Sequence, residues 1–219
     1  MFTKELVDYL GELRANNNKP WFEANRSRYD KLRSQFTEQV DRIIAESSKF
    51  DPALAGIETS SALFRIYRDV RFSKDKSPYK STFSAALSPE KKEGGRPGYY
   101  LCIDADGELL VGAGIHEPPA PQLQKVRQGI AKDGKKLDAI LADPKFQKAF
   151  GRLEGERLKN VPRDFPADHP YAEYLKYKSF TAGCTEPVTK ISDDAFAPHI
   201  AALFATAYPL VKFLREISE

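Results

Sequence analysis

The chain has 219 residues, with 34 Lys or Arg against 31 Asp or Glu, for a net charge of +3. Hydrophobic residues make up 41% and charged residues 30%, which allows one full apolar core and excludes extended disorder. So small a cationic excess excludes a broad basic face for nucleic acid and confines any such role to a local patch.

In chain order, Leu6, Leu10 and Leu13 fall on one face of a first short helix. Asn16-Asn17-Asn18 ends it, because Asn competes for backbone hydrogen bonds and tolerates left-handed geometry. Pro20 suits the first turn of a second helix. Phe22, Tyr29, Leu32, Phe36, Val40, Ile43 and Ile44 continue it at helical spacing to about Phe50, where Asp51-Pro52 stops it. The period then changes. Phe64, Ile66, Val70 and Phe72 alternate as one strand face, with Arg65, Tyr67, Asp69 and Arg71 opposite. Ser77-Pro78-Tyr79 marks a loop, and Thr82–Leu87 reads as the next strand. Glu93–Gly98 is a flexible connector.

Tyr99–Ile115 reads as a hairpin turning at Asp104-Ala105-Asp106-Gly107. Helical text follows from about Gln122 to Phe150, interrupted at Asp133-Gly134 and Asp143-Pro144. Tyr171–Leu175 reads as a short helix and Lys178–Cys184 as a strand. A final helix carries Phe196, Ile200, Leu203, Phe204, Ala207, Leu210, Val211 and Leu214 on one face, with a break or kink at Pro209. Helices at both ends around a run of antiparallel strands, with no regular strand-helix-strand alternation, predict an α+β fold. Its sheet lies in the middle of the chain, packed by the N-terminal and C-terminal helices. One domain over residues 1–219 is expected.

The segment Arg65–Lys80 stands out chemically. It sets six cationic side chains against two aspartates, a local charge of +4, so the rest of the chain is slightly acidic. Guanidinium groups present a planar fork of donors that grips carboxylate or phosphate. The candidate ligand residues are Arg65, Tyr67, Arg68, Asp69, Arg71, Lys76, Tyr79 and Lys80. The alternative is a structural ion-pair network in which Asp69 and Asp75 neutralise the arginines. Strict alternation would point Arg68 into the apolar side of the strand. A buried unpaired guanidinium is costly, so Arg68 needs a carboxylate partner or a ligand.

Other motifs carry less. The single Trp, Trp21, shares a helix face with Asn25 and reads as a core anchor. His116-Glu117 reads as a surface loop, and His169 and His199 show no metal spacing with it, so no metal site is expected. Asp104–Gly107 lacks the ligand spacing of a calcium loop. Gly112-Ala113-Gly114 lacks the third glycine of a dinucleotide loop, and no phosphate loop or nucleophile elbow occurs. No cofactor is expected. Cys102 and Cys184 belong to no C-x-x-C pair and read as reduced, buried thiols. The N-terminus has no long apolar core, and no apolar run reaches the roughly 18 residues of a membrane span. A cytoplasmic protein without a membrane role is expected.

Several stretches resemble one family. They are Asn17-Asn18-Lys19-Pro20-Trp21-Phe22-Glu23-Ala24-Asn25-Arg26, the whole of Phe64–Lys80, Gly98-Tyr99-Tyr100-Leu101, Gly112-Ala113-Gly114, Lys125-Val126-Arg127-Gln128-Gly129-Ile130 and Leu175-Lys176-Tyr177-Lys178-Ser179-Phe180. Together they look like the DUF2461 family over nearly the whole chain. The resemblance implies one domain and an intracellular protein of bacterial type. It implies no established activity, so no catalytic residue is carried over.

Three functional expectations follow from the residues. The first is binding of a small anionic or phosphorylated ligand through Arg65–Lys80; nucleic acid is a less favoured ligand. The second is an enzyme acting on a phosphorylated substrate with Asp69 or Asp75 as general base. The third is a structural ion-pair segment in a protein-interaction module. Oligomeric state is not legible.

Overall fold

The computed structural model describes residues 1–89 and 95–218. Of the expected connector, Glu93 and Gly94 lie outside the described residues.

Helix α1 (Phe2–Ala15) buries Phe2, Leu6, Tyr9, Leu10 and Leu13 along one stripe. The asparagines stop it as expected: Asn16 follows its last turn, and the Asn18 side chain caps α2 (Lys19–Ala24) by accepting from the Trp21 amide at 3.0 Å. The single helix expected from Pro20 onward is split at Asn25. The Asn25 side chain donates to the Trp21 carbonyl at 2.9 Å, a local bond that competes with helix continuation. Helix α3 (Arg26–Ser47) then buries Leu32, Phe36, Val40, Ile43 and Ile44. A single 3-10 turn at Pro52–Leu54 and the short α4 (Thr59–Ala62) follow.

The sheet is antiparallel and four-stranded, in the order β1 (Thr82–Leu87), β2 (Gly98–Asp104), β3 (Glu108–Ile115) and β4 (Phe180–Pro187). Between β3 and β4 lie α5 (Ala120–Ala142), α6 (Pro144–Phe150) and α7 (Ala172–Leu175), and α8 (Asp193–Ser218) ends the chain. The fold is therefore α+β, with the sheet in mid-chain packed against N-terminal and C-terminal helices. The hairpin turn forms where expected. Asp104 Oδ1 accepts from the Asp106 and Glu108 amides, and Gly107 takes a positive φ. Asp133 interrupts α5 with non-helical angles, and Asp143 caps α6. Pro209 does not break α8, which is one helix from Asp193 to Ser218. By length and composition α8 is apolar enough to cross a membrane; half of its most apolar window is buried within the chain, as in a core helix.

Strand burial alternates. Tyr99, Leu101 and Ile103 are buried while Tyr100, Cys102 and Asp104 are only half-buried. Cys102 and Cys184 form no disulfide and are only half-buried: Cys102 alternates with the core-facing Leu101 and Ile103, whereas Cys184 follows buried Phe180 and Ala182 on the same face, where β4 runs out of the core.

The residues gather into two compact units. The first comprises Met1–Leu87, Tyr100–Val111 and Thr185–Ala201; the second comprises Ser88–Tyr99, Gly112–Cys184 and Ala202–Glu219. In the first, Phe83 of β1 meets Phe36 and Tyr29 of α3 edge-on at 5.5 and 5.9 Å. In the second, Tyr99 packs on Phe204 at 4.7 Å. There Gly114 (φ +124°) lets β3 approach β4 closely, since a Cβ would stand 2.1 Å from the Phe180 carbonyl oxygen. A Cβ on Gly134 would meet the Tyr171 ring at 2.4 Å, so that glycine lets Tyr171 lie flat on α5.

Candidate anion site

The strand expected across Phe64–Phe72 does not form. Only its first half, Phe64 to Arg68, pairs with the rest of the chain as a ladder. The Phe64 amide donates to the Ser84 carbonyl at 3.0 Å, the Arg68 amide to Pro78 at 2.9 Å and the Lys80 amide to Ile66 at 2.7 Å. Tyr67 and Tyr79 form an isolated antiparallel bridge. Between those legs the chain makes two side-chain turns instead. Asp69 Oδ1 accepts from the Arg71 amide at 3.2 Å, and Asp75 Oδ1 accepts from the Ser77 amide at 2.9 Å. Aspartates two residues ahead of a free amide offer the backbone an alternative to the sheet, and here they win. The apolar alternation was therefore misleading. Ile66 is buried, but Phe72 is 96% exposed at the loop tip.

The charges mostly answer one another within the loop. Arg68 has the carboxylate partner it requires: Nη1 pairs with Asp75, and the guanidinium also donates to the Ser77 carbonyl at 3.2 Å. The Ser77 hydroxyl and amide, then Arg68, hold Asp75 well below the usual carboxylate range. Arg71 clasps Asp69 through Nε and Nη2, at 3.0 and 2.6 Å, and lowers its pKa too. Both carboxylates are thus weak bases with occupied lone pairs. Lys76 donates to the Val70 carbonyl at 2.9 Å and closes the tip.

The loop is gripped by the α1–α2 junction. The Asn17 side chain accepts from the Tyr79 amide at 3.0 Å and donates to the Tyr79 carbonyl at 2.9 Å, replacing a strand partner. Phe22, fully buried, stacks on the Tyr79 ring at 4.1 Å and lies 5.1 Å from Tyr29 and 6.2 Å from Tyr67. The Arg26 guanidinium sits 5.6 Å from the Phe22 ring. Phe22 is the core anchor here. Trp21 is only half-buried against Tyr9, because on a helix adjacent residues face different sides.

Among the described residues, four cations of the segment lack a carboxylate partner: Lys74 and Lys76, both exposed, and Arg65 and Lys80. Among the described residues, no acidic oxygen lies within 4.0 Å of Arg65 or Lys80. Burial, then the charge of Arg65, pushes the Lys80 pKa down. The ammonium stands 5.3 Å from the Phe64 ring, whose carbonyl accepts from Arg33 at 3.0 Å. Phe64 meets Tyr100 of β2 edge-on at 6.1 Å. Tyr100, hydrogen-bonded with Ser84 and Cys102, is pushed up to about 12, mainly by burial. Burial likewise raises the Cys102 thiol, which stays protonated and is a poor nucleophile. Of the eight expected ligand residues, Arg65 and Lys80 are linked only through the charge of Arg65 acting on Lys80. Arg68, Asp69 and Arg71 are absorbed in ion pairs, Lys76 in a carbonyl bond and Tyr79 in the clamp. Tyr67 stays half-exposed beside the Phe22 cluster.

The histidines sit apart from this chemistry. His116 is exposed, and His199 lies 2.5 Å from Glu186. Among the described residues, no three His, Cys, Asp or Glu side chains gather as a metal site would need.

An α+β protein with a clamped cationic loop at the edge of its sheet is the class these features define. The family model described as conserved hypothetical protein, DUF2461, matches residues 5–213, and the chain belongs to that family. No curated protein and no solved structure matches it.

Proposed function

We propose that the first unit binds a small anionic or phosphorylated ligand between Arg65 and Lys80. The observation that carries this reading is the mutual repulsion of those two cations without an acidic counterion. A folded chain that brings two positive charges together, one of them partly desolvated, raises its own free energy. A bound oxyanion offsets that cost. Arg68 and Arg71 support the site from a distance, since their aspartates fix the loop rather than the ligand.

An enzyme with Asp69 or Asp75 as general base is disfavoured, because each carboxylate is held ionised by hydrogen bonds a proton would have to displace. The site fits binding better than proton transfer. Calorimetric titration of inorganic phosphate at fixed ionic strength tests the reading. Lys80→Ala is expected to weaken binding about tenfold or more, the loss of one charge-assisted hydrogen bond. Equal affinity in wild type and Lys80→Ala sinks it.

A further inference from the structure

The second unit holds a different kind of cation. Arg127 lies on α5 and is only 8% exposed. Nη2 donates to the Tyr177 carbonyl at 2.9 Å, while Nε is buried without any acceptor. Among the described residues, no carboxylate comes within 4.0 Å of it. Its neighbours are treated otherwise. Arg157 stacks 4.3 Å from the Tyr177 ring, bonds the Tyr177 hydroxyl and reaches Glu173; Lys176 also pairs with Glu173, and Lys178 with Glu156. The most buried cation of the group is the one left uncompensated.

A guanidinium out of water with one neutral acceptor is a costly arrangement, and its five donors exceed what one carbonyl can take. Burial alone lowers the Arg127 pKa, with no opposing charge to offset it. Backbone nearby is also held tightly. Glu117 takes a positive φ of 44°, unusual for a residue with a side chain, and its amide donates to Ser179 Oγ at 2.9 Å. Tyr177 and Ser179 thus tie Arg127 and Glu117, two residues past β3, to one short stretch of chain. The Glu117 carboxylate itself is exposed and does not serve Arg127.

We propose that Arg127 anchors a second anion site, taking an oxyanion with two coplanar acceptor oxygens, a carboxylate or a phosphate, on its unfilled donors. The occupant completes the hydrogen bonding of Nε and supplies the missing negative charge.

Thermal unfolding tests this in a Lys80→Ala background, with sodium chloride, sodium phosphate or sodium acetate at matched ionic strength. Phosphate or acetate is expected to raise the unfolding midpoint of Lys80→Ala, and whichever acts more strongly identifies the oxyanion. Adding Arg127→Met is expected to abolish that rise. It should also keep or raise the midpoint in chloride, since an apolar side chain replaces a buried unpaired charge. Arg127→Lys, which keeps the charge and loses the fork, should need about tenfold more anion for the same rise. It carries the test if the Met variant does not fold. An unaltered rise in either Arg127 variant, or no rise in Lys80→Ala beyond chloride, overturns the inference. The comparison of wild type with Lys80→Ala reports on the first site separately.

Discussion

The loop of the first unit and the buried arginine of the second handle positive charge in opposite ways. Arg65–Lys80 is dense in cations, yet its two aspartates lie within hydrogen-bond reach of Arg68 and Arg71 and use them to shape the backbone. Around Arg127 the deepest cation has no carboxylate within 4.0 Å among the described residues. Cation density is therefore a poor guide to a ligand. Uncompensated burial is a better one, because desolvation makes the missing partner expensive whereas an exposed pair gains little from being made. By that measure the informative cation in the first unit is Lys80, half-buried under the charge of an exposed Arg65, not the arginines that dominate the sequence.

The comparison breaks first if the loop owes its shape to ion pairs rather than to the clamp. Phe22→Ala removes a fully buried ring stacked on Tyr79. It should destabilise the protein by about 3–5 kcal/mol in urea unfolding; a loss under 1 kcal/mol would show that the clamp is dispensable. Asn17→Ala strands the amide and carbonyl of a buried residue, Tyr79. The expected cost is smaller, about 1–3 kcal/mol, and no change in midpoint would mean that water replaces the asparagine.

Acid titration gives a weaker effect with a defined sign. Asp75 is held below its ordinary pKa in the folded chain, so it contributes stability above the unfolded value of about 3.9 and loses it as pH falls toward the folded value. Asp75→Asn should lower stability at pH 7 and flatten the decline below pH 4. An unchanged acid limb would assign that decline to other carboxylates. The smallest effect belongs to Arg71→Ala. Its pair with Asp69 is exposed, and the unfolding midpoint at physiological salt should not move measurably; a clear drop would restore the ion-pair lattice as the source of the loop's order.

Lys80 sharpens the same contrast through pH. Its pKa is lowered, so phosphate affinity should hold through neutral pH and then fall at a lower pH than an ordinary lysine near 10.4 would dictate. Phosphate should in turn draw proton uptake as that fall begins, measurable as a buffer-dependent heat of binding. No dependence on buffer across that fall removes Lys80 from the site.

Much of the architecture was legible. The 3.6-residue stripe of α1, α3 and α8 and the Asp-Gly turn between β2 and β3 are short-range signals that tertiary packing reinforces. The segment after Phe64 misled because alternation of Phe64, Ile66, Val70 and Phe72 fits a strand, while Asp69 and Asp75 sit two residues before amides they can bind. Two local bonds outweigh a period when no neighbouring strand is there to complete the ladder. The clamp was illegible because Asn17 and Tyr79 are 62 residues apart and an asparagine pair of bonds leaves no periodic trace. Arg127 had a readable sign. It falls three residues before Ile130 and ten before Leu137, on the core stripe of α5, where a cation is out of place. Neither half of the Arg65 and Lys80 pair was distinguishable from its basic neighbours until the aspartates were assigned to others.

Trp21, the one tryptophan of the chain, has a practical consequence. It is half-buried, 5.7 Å from the Tyr9 ring and next in sequence to the phenylalanine that holds Tyr79. Its indole is therefore an intrinsic optical probe of the clamp. A change in α2 that follows release of the loop from Phe22 would alter its emission, without any label and without competing signal from a second indole.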